Sequence, residues 1–216
     1  MRVKTTWVAG GSGLVGGELL RLLLADDDFA TVIAVGRRQL PLQQLKLRQA
    51  TVDFAAPDAL AALDAPDAAL CCLGTTIKRA GSREAFRAVD HDAVVAFARA
   101  ARDRGARVFL HVTALGADAR SSVFYNAVKG EVEAAVAGLG FPSVYALRPS
   151  ILDGEREESR PVERAGLVVM RALGPLLGKY RPTPASAVAA ALVASCKEAE
   201  PGVHVLEAPA IQRFAR

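Results

Sequence analysis

The chain has few residues of the kinds that build disulfide or metal sites. Only three cysteines and three histidines occur among its 216 residues. Cys71 and Cys72 are adjacent, and neither the cysteines nor the histidines have the spacing of a zinc site. We therefore expect no disulfide framework and no bound metal, and we interpret Cys71 and Cys72 as buried strand residues in a reducing compartment.

Long apolar runs are also missing. The longest, such as residues 185–194, fall well short of the roughly 20 residues that a membrane span needs. The first residues are polar and strand-like, without the apolar core and small-residue cleavage site of a signal peptide. The sequence thus predicts a soluble, cytoplasmic protein that does not associate with a membrane.

A concentrated basic patch is absent as well. The formal net charge is +4, but the lysines and arginines are scattered among acidic residues and are not interleaved with aromatic ones. We expect no nucleic-acid partner, and we assign most of these charges to solvated surface. The hydrophobic content of 51% is enough to fill the core of a domain of this length.

Short apolar runs alternate with helical patterns in the first 150 residues. This alternation is typical of the α/β class, with a Rossmann-like, doubly wound parallel sheet covered by helices on both faces. The predicted strands span 3–9, 31–35, 47–53, 68–73, 107–112 and 143–148, and the predicted helices span 14–25, 56–63, 83–104 and 121–138.

We expect a single domain over residues 1–216. Residues 1–150 form its cofactor-binding core, and residues 151–216 form a small C-terminal annex on the substrate side. Within the annex the pattern predicts an apolar helix from 162 to 177 and an alanine-rich helix that follows Pro184 and ends near Cys196.

A glycine turn joins the first strand to the first helix. Gly10 permits a tight turn, Gly13 lets the backbone approach a pyrophosphate, and Gly16 lets the helix pack closely on the strand. Free N–H groups and the helix dipole at such a helix start favour phosphate. A glycine cluster alone also fits a plain structural turn, but the strand before it and the helix after it favour a nucleotide site.

Other positions at the ends of strands predict the rest of a cofactor site. Arg37 and Arg38 follow the second strand, where arginine accommodates the 2′-phosphate of NADP and an acidic residue would favour NAD. We therefore expect NADP(H), with two surface arginines as the alternative. Asp53 either accepts a hydrogen bond from the adenine amine or serves as a turn or N-cap residue. The segment Leu73-Gly74-Thr75 either passes under the cofactor or only ends its strand.

A tyrosine and a lysine four residues apart supply groups for proton transfer. Tyr125 and Lys129 fall on one face of a predicted helix. An ammonium group nearby lowers the pKa of a phenol, which makes it a usable acid or base. Thr113, at the end of the fifth strand, has a hydroxyl able to hold a substrate carbonyl. The alternative for the pair is a solvated helix face, which is the commoner origin of this spacing.

Taken together, these motifs resemble the atypical branch of the short-chain dehydrogenase/reductase superfamily. Within it, the chain is similar to the family of the HIV Tat-interacting oxidoreductase and its bacterial relatives. The resemblance spans most of residues 5–165 and rests on blocks in matching order: Cys71-Cys-Leu-Gly-Thr-Thr76, Leu115-Gly-Ala-Asp118, Lys129-Gly-Glu-Val-Glu133, Arg148-Pro149 and Glu158-Ser-Arg-Pro161.

The resemblance implies an NADPH-binding fold with assigned residues. Tyr125 would be the proton donor, and Lys129 would orient the nicotinamide ribose and support Tyr125. Further contacts to the cofactor would come from Ser12, Leu14, Val15, Leu152 and Arg160. One departure concerns Thr113 and Ala114, which stand where members of the superfamily commonly have serine. Threonine can make the same hydrogen bond with less rotamer freedom.

Two functions of different classes follow. The first is an NADPH-dependent oxidoreductase that reduces a modest, partly hydrophobic carbonyl substrate, with Thr113 as the third catalytic hydroxyl. The second is a non-catalytic regulatory protein that binds NADPH and presents a cofactor-dependent surface to a protein partner. Isomerisation with tightly held NAD is a third option on this fold, which Arg37 and Arg38 disfavour.

Overall fold

The computed structural model of the chain describes residues 3–56, 59–153 and 180–215. Its strands are β1 (Val3–Ala9), β2 (Phe29–Gly36), β3 (Leu47–Thr51), β4 (Ala68–Cys71), β5 (Val108–Val112), β6 (Ser143–Arg148), β7 (Leu152–Asp153), β8 (Thr183–Pro184) and β9 (Gly202–Glu207). Its helices are α1 (Leu14–Ala25), α2 (Ile77–Ala80), α3 (Arg83–Arg87), α4 (Ala93–Asp103), α5 (Phe124–Ala137), α6 (Ala185–Glu198) and α7 (Ala208–Gln212). A π turn, Ala88–Asp92, joins α3 to α4.

A parallel sheet of seven strands organises the fold. Its order is β3-β2-β1-β4-β5-β6-β9, and every pairing is parallel. From β1 the chain adds strands first toward β3 and then, from β4, in the opposite direction. This reversal confirms the predicted doubly wound class, and it places the switch point between the carboxyl ends of β1 and β4, where such sheets bind ligands.

Each face of the sheet is covered by its own hydrophobic core. On one face, Leu19 and Leu23 of α1 pack with Leu192 of α6 against strand residues such as Leu70. On the other face, Phe97 of α4 packs with Trp7 of β1 and Phe109 of β5, and all three are fully buried. Because both faces are covered, the central strands are largely apolar, which is why their sequence pattern identified them.

The helices agree with the predictions except in two places. No helix forms over the described part of 56–63, where the amides of Ala59 and Leu63 donate to the carbonyls three residues back, those of Ala56 and Leu60. These i→i−3 bonds make turns instead of an α-helix, and Leu60 still reaches the core. The helix predicted at 83–104 exists, but the π turn interrupts it.

Most of the described residues of the predicted annex belong to the main sheet and its core, and the place of the annex on the substrate side stays a prediction. Helix α6 packs against α1 inside the first hydrophobic core, and β9 extends the main sheet beside β6. Only the small β7–β8 ladder stands apart from that sheet within the described residues. The helix predicted at 162–177 lies outside the described residues. No helix in the described ranges is long and apolar enough to cross a membrane.

Truncation of a buried α6 side chain tests whether the C-terminal segment belongs to the core. Leu192→Ala removes a fully buried side chain, and we expect it to lower the free energy of unfolding by about 2–5 kcal/mol. Urea denaturation measures this loss. The control is Val203→Ala on the exposed side of β9, for which we expect a change within about 0.5 kcal/mol. Equal, small losses in both variants would contradict the packing of α6.

Candidate cofactor and proton-transfer site

The glycine turn after β1 has a geometry that its glycines alone permit. Gly10 has a φ of +83°, and a Cβ there would lie 2.5 Å from the carbonyl carbon of Cys72. A Cβ on Gly16 would lie 2.1 Å from the carbonyl oxygen of Gly10. The Gly13 amide closes the turn by donating to the same oxygen at 3.0 Å. The turn, the start of α1 and the end of β4 are therefore packed backbone to backbone.

The N-terminus of α1 follows this turn and has no side-chain cap. Gly13 is the N-cap residue. Ser12 and Gly13 are exposed, Leu14 is half-buried and Val15 is buried in the core. The first N–H groups of a helix have no partner within the helix, and its dipole favours an anion there. The arrangement can hold a pyrophosphate, so these residues fit the cofactor contacts predicted for them.

The turn after β4 lies beside the glycine turn. The Cys72 amide donates to the Ala9 carbonyl at 2.8 Å, which ties the ends of β4 and β1 together. Leu73, Gly74 and Thr75 follow, with Gly74 exposed and Leu73 and Thr75 half-buried. The Thr75 amide donates to Asp90 Oδ2 at 2.8 Å. The predicted turn under the cofactor is therefore anchored to the π turn.

A buried ion pair lies behind this turn. Asp90 Oδ1 is 2.8 Å from Lys129 Nζ, and the two side chains are only 1% and 5% exposed. Burial raises the pKa of Asp90, while the Lys129 ammonium and the Thr75 N–H oppose that rise. Sequence reasoning missed Asp90. The available signal was its position on the buried stripe of α3 and α4, four residues after Phe86 and four before Val94.

Tyr125 lies on the same helix face as Lys129, as predicted. Its ring is half-buried, 5.5 Å from the Phe86 ring, and Lys129 Nζ is 6.0 Å from its centroid. The predicted fall in its pKa is wrong for the protein without cofactor. Burial raises the pKa of Tyr125 by more than the Lys129 ammonium lowers it, and the Asp90 carboxylate adds a smaller rise. The phenol therefore holds its proton firmly.

The Thr113 hydroxyl is hydrogen-bonded to groups of the protein itself. It donates to Glu133 Oε1 at 2.6 Å, with a longer contact of 3.3 Å to the Leu147 carbonyl. Its single proton is thus held by a carboxylate and is not directed to a substrate oxygen, so the structure does not support the catalytic role predicted for it. Ala114, the next residue, has no hydroxyl and is buried.

His111 is a further buried polar residue on this side of the sheet. It lies in register with Cys71, and its ring contacts Phe109. Neither ring nitrogen has a hydrogen-bond partner in the part of the chain that the structure describes. Burial and the nearby Lys129 ammonium lower the pKa of His111 to about 3. The imidazole therefore stays neutral and does not act as an acid or base near neutral pH.

The predicted adenosine contacts lie at the ends of β2 and β3. Arg37 and Arg38 are exposed, and neither forms an ion pair with any residue in the described ranges. Asp53 is exposed and adopts the turn interpretation, since its Oδ1 accepts from the Ala55 amide at 3.0 Å. Its contact with adenine stays a prediction.

Two predicted contacts follow the sixth strand. Leu152 is half-buried and pairs with Thr183 in the β7–β8 ladder. Arg160 lies outside the described residues. The structure thus brings together the glycine turn, residues 73–75, Tyr125 and Lys129, and it leaves Arg37 and Arg38 available to an anion.

Paired substitutions in α1 test the close packing of the glycine turn. We expect Gly16→Ala to destabilise the fold and to abolish cofactor binding, because its methyl group would collide with the Gly10 carbonyl. Gly17→Ala makes only an ordinary contact at 3.8 Å, and we expect a gain of about 0.5–1 kcal/mol from helix propensity. Thermal unfolding compares the two. Similar behaviour of both variants would contradict the described turn.

The neutral state of His111 makes stability depend on pH. The unfolded chain binds a proton at this histidine below about pH 6.5, and the folded protein does so only near pH 3. Its contribution to stability is therefore complete above about pH 6.5 and decreases as the pH falls. We expect His111→Leu to lose less stability than the wild type between about pH 7 and pH 5, measured by urea denaturation at both values.

His204→Leu is the matched control for that measurement. His204 is partly exposed and stacks on Tyr145 at the edge of the sheet. The same pH dependence in the wild type and in His111→Leu would show that the folded protein protonates His111 as readily as the unfolded chain does.

Comparison with curated proteins finds relatives over most of the chain. Protein HTATIP2 of Rattus norvegicus is 39% identical over 167 residues, which cover 76% of this chain and 69% of that protein. The mitochondrial protein fmp52 of Aspergillus niger is 35% identical over 177 residues, or 79% of this chain and 74% of that protein. Because the fungal relative is named as mitochondrial, the cytoplasmic location stays a prediction.

Comparison with solved structures finds the same fold at low sequence identity. MoeE5, solved with UDP-glucuronic acid and NAD, matches with a TM-score of 0.73 and 18% identity over 94% of this chain and 75% of its own. The UDP-glucose 4-epimerase of Thermotoga maritima matches with a TM-score of 0.71 and 11% identity, over 94% and 76%. These likenesses establish the fold alone.

The family comparison covers the segment that builds the described site. A family model described as NAD(P)H-binding matches residues 10–139, which run from the glycine turn to the end of α5. The chain therefore belongs to the NAD(P)H-binding, atypical short-chain dehydrogenase/reductase family that includes HTATIP2 and Fmp52.

Proposed function

We propose that the protein is an NADP(H)-dependent reductase of a small carbonyl substrate. The observation that carries the proposal is the position of Tyr125, half-buried on α5 with the Asp90–Lys129 pair beside it. Thr75 links that pair to the turn after β4, which adjoins the glycine turn. A proton donor and a phosphate-binding helix start thus belong to one edge of the sheet.

The residues present fit a dinucleotide. The uncapped start of α1 suits a pyrophosphate, and Lys129 has N–H donors beyond the one that faces Asp90. We assign Lys129 to the nicotinamide ribose and Gly10, Gly13 and Gly16 to the close approach of the phosphates. When bound, the cofactor supplies the hydride that forms the new C–H bond at the carbonyl carbon.

Tyr125 supplies the proton in the proposed reaction. Its O–H donates to the carbonyl oxygen as the C=O double bond becomes a C–O single bond, and the phenolate left behind is stabilised by the Lys129 ammonium. Asp90 holds that ammonium in place. The raised pKa of Tyr125 keeps the phenol protonated at neutral pH, which suits an acid.

Arg37 and Arg38 support NADP(H) over NAD(H). Both are exposed after β2 and lack an ion-pair partner in the described ranges, so their charge is available to a phosphate. A guanidinium group can bind a phosphate through two parallel hydrogen bonds.

Removal of the phenol hydroxyl tests the catalytic part of the proposal. We expect Tyr125→Phe to lower NADPH oxidation with a carbonyl substrate by about 10²- to 10⁴-fold, with NADPH affinity unchanged within about 2-fold. The matched control is Tyr145→Phe, whose hydroxyl accepts from the Glu200 amide away from this site. Turnover that survives in Tyr125→Phe would overturn the assignment of the proton donor.

Cofactor choice is tested separately at the end of β2. We expect Arg37→Ala to weaken NADPH binding by about 10-fold or more, because it removes a charge-assisted hydrogen bond, and to leave NADH binding nearly unchanged. A fluorescence titration with each cofactor measures both affinities. The control is Arg107→Ala. Arg107 is exposed and precedes β5, at the amino ends of the strands, away from the predicted cofactor site. Equal losses for NADPH and NADH would contradict the assignment.

The geometry of Thr113 also favours a second candidate, a regulatory protein that binds NADPH without consuming it. Its hydroxyl is held by Glu133, and Ala114 offers none. A site with a proton donor but no third hydroxyl can bind the cofactor and still reduce carbonyls poorly. NADPH binding without oxidation across a broad carbonyl panel, together with a partner that binds only the NADPH-loaded protein, would favour this candidate.

A further inference from the structure

Three polar residues follow one another at four-residue spacing along α5. Tyr125, Lys129 and Glu133 therefore lie on one face of the helix, on three consecutive turns. Lys129 pairs with Asp90 in the π turn, which belongs to the layer of helices. Glu133 faces the sheet instead, and the proposed function gives it no role.

Glu133 binds two strands at once. Its Oε1 accepts from Arg148 Nε at 3.0 Å and from the Thr113 hydroxyl at 2.6 Å, and its Oε2 accepts from Arg148 Nη2 at 2.5 Å. Its side chain is only 13% exposed. Arg148 ends β6, and Thr113 follows β5 directly. One carboxylate thus joins α5 to the carboxyl ends of two neighbouring strands.

Arg148 extends this junction to β9, the outermost strand on this side of the sheet. Its Nη1 donates to Glu207 Oε1 on β9 at 3.1 Å. Hydrogen bonds from the guanidinium to Glu133 and Glu207 raise the pKa of Arg148 further above its usual value. The guanidinium is charged at every working pH, and its planar group holds Glu133 through two parallel bonds.

We propose that Glu133 is a positioning residue that fixes α5, and with it Tyr125 and Lys129, against the carboxyl edge of the sheet. The inference rests on the proposed function. The Asp90–Lys129 pair ties α5 to the helix layer, whereas the cofactor turn is built on the ends of β1 and β4. Within the described ranges, the Asp90–Lys129 pair reaches those ends only through the Thr75 amide, and the Glu133–Arg148–Thr113 junction adds a direct polar tie from α5 to the carboxyl ends of β5 and β6.

The rigid helix between Glu133 and Tyr125 transmits any shift of the junction to the phenol group. Tyr125 lies eight residues before Glu133, or about 12 Å along a rigid helix axis. A shift of about 1 Å between reacting groups can cost about 10²-fold in rate. Loss of the junction therefore alters the rate of the chemical step before it alters the binding of a cofactor held by the glycine turn.

A matched pair of substitutions on α5 tests the proposal. Glu133→Gln keeps an acceptor for Thr113 but removes the charge that holds Arg148. The control, Glu131→Gln on the same helix, breaks the more exposed pair that Glu131 forms with Arg87 of α3. We expect Glu133→Gln to lower kcat for carbonyl reduction by about 10-fold or more with NADPH affinity unchanged within about 2-fold. We expect Glu131→Gln to leave both within about 2-fold of the wild type.

Two substitutions of Thr113, each with a side chain of similar size, test the same junction. Thr113→Val removes one arm of the junction, and Thr113→Ser retains it. We expect Thr113→Val to reduce kcat by no more than Glu133→Gln does, the two losses to be less than additive in the double variant, and Thr113→Ser to behave like the wild type. The proposal would be overturned if Thr113→Val lost more activity than Glu133→Gln and the two losses were additive in the double variant. The Thr113 hydroxyl would then be assigned to the substrate.

A readout independent of turnover separates this proposal from the proposed function. Tyrosine labelled with ¹³C at Cζ reports the ionisation of Tyr125 by NMR, with its signal assigned from Tyr125→Phe. We expect Glu133→Gln to change the pKa of Tyr125 by about half a unit or more, and Glu131→Gln to leave it unchanged. A shift in a protein that reduces no carbonyl would sustain the positioning role and refute the reductase. A pKa of Tyr125 unchanged in Glu133→Gln would overturn the positioning role.

Discussion

The Asp90–Lys129 ion pair is the interaction around which the site is arranged. Its two side chains are almost fully buried, and burial of opposite charges costs several kcal/mol per ion before their attraction is counted. The Thr75 amide adds a hydrogen bond to Asp90. Removal of either partner would leave an uncompensated charge, typically a loss of about 3–5 kcal/mol. The pair therefore constrains three segments together: the turn after β4, the π turn and α5.

Burial and the same pair together set the protonation of the neighbouring groups. Burial raises the pKa of Tyr125 against the opposing effect of the Lys129 ammonium, and the Asp90 carboxylate adds a smaller rise; burial with the Lys129 ammonium favours the neutral imidazole of His111. Burial raises the pKa of the Cys71 thiol to about 12. These groups are neutral at physiological pH, and Lys129 is the cation among them. Such a centre fits the proposed role of Tyr125, in which the phenol donates a proton and the Lys129 ammonium stabilises the phenolate that remains.

Much of the fold could be predicted from the sequence. Parallel strands covered on both faces are largely apolar, and the close backbone packing at Gly10 and Gly16 leaves no room for a side chain. The edge strand β9 was harder to predict, since Val203 and Val205 are exposed and alternate with partly buried residues. The alanine-rich α6 was predicted as a helix, but composition did not reveal that it packs against α1. Residues 56–63 have helical composition, yet the described part of this segment forms turns.

The candidate site divides in the same way. Gly10, Gly16, Tyr125 and Lys129 could be predicted because their spacing along one turn or one helix determines their geometry. The partners of Thr113 could not, because Glu133 and Arg148 come from elements that only tertiary packing brings together. The role of Asp90 could not be predicted, because the sequence does not show which cation pairs with an acidic residue on the buried side of a helix.

A crystal structure of the protein with NADP⁺ tests the central claim most directly. The account predicts the pyrophosphate at the start of α1 beside Gly13, the 2′-phosphate against Arg37 or Arg38, and the nicotinamide ribose within hydrogen-bond distance of Lys129 Nζ, with Tyr125 facing the nicotinamide. A cofactor bound away from Lys129 and Tyr125, or no binding at all, would contradict the proton-transfer site. The protein would then be a member of this fold whose function lies in other contacts.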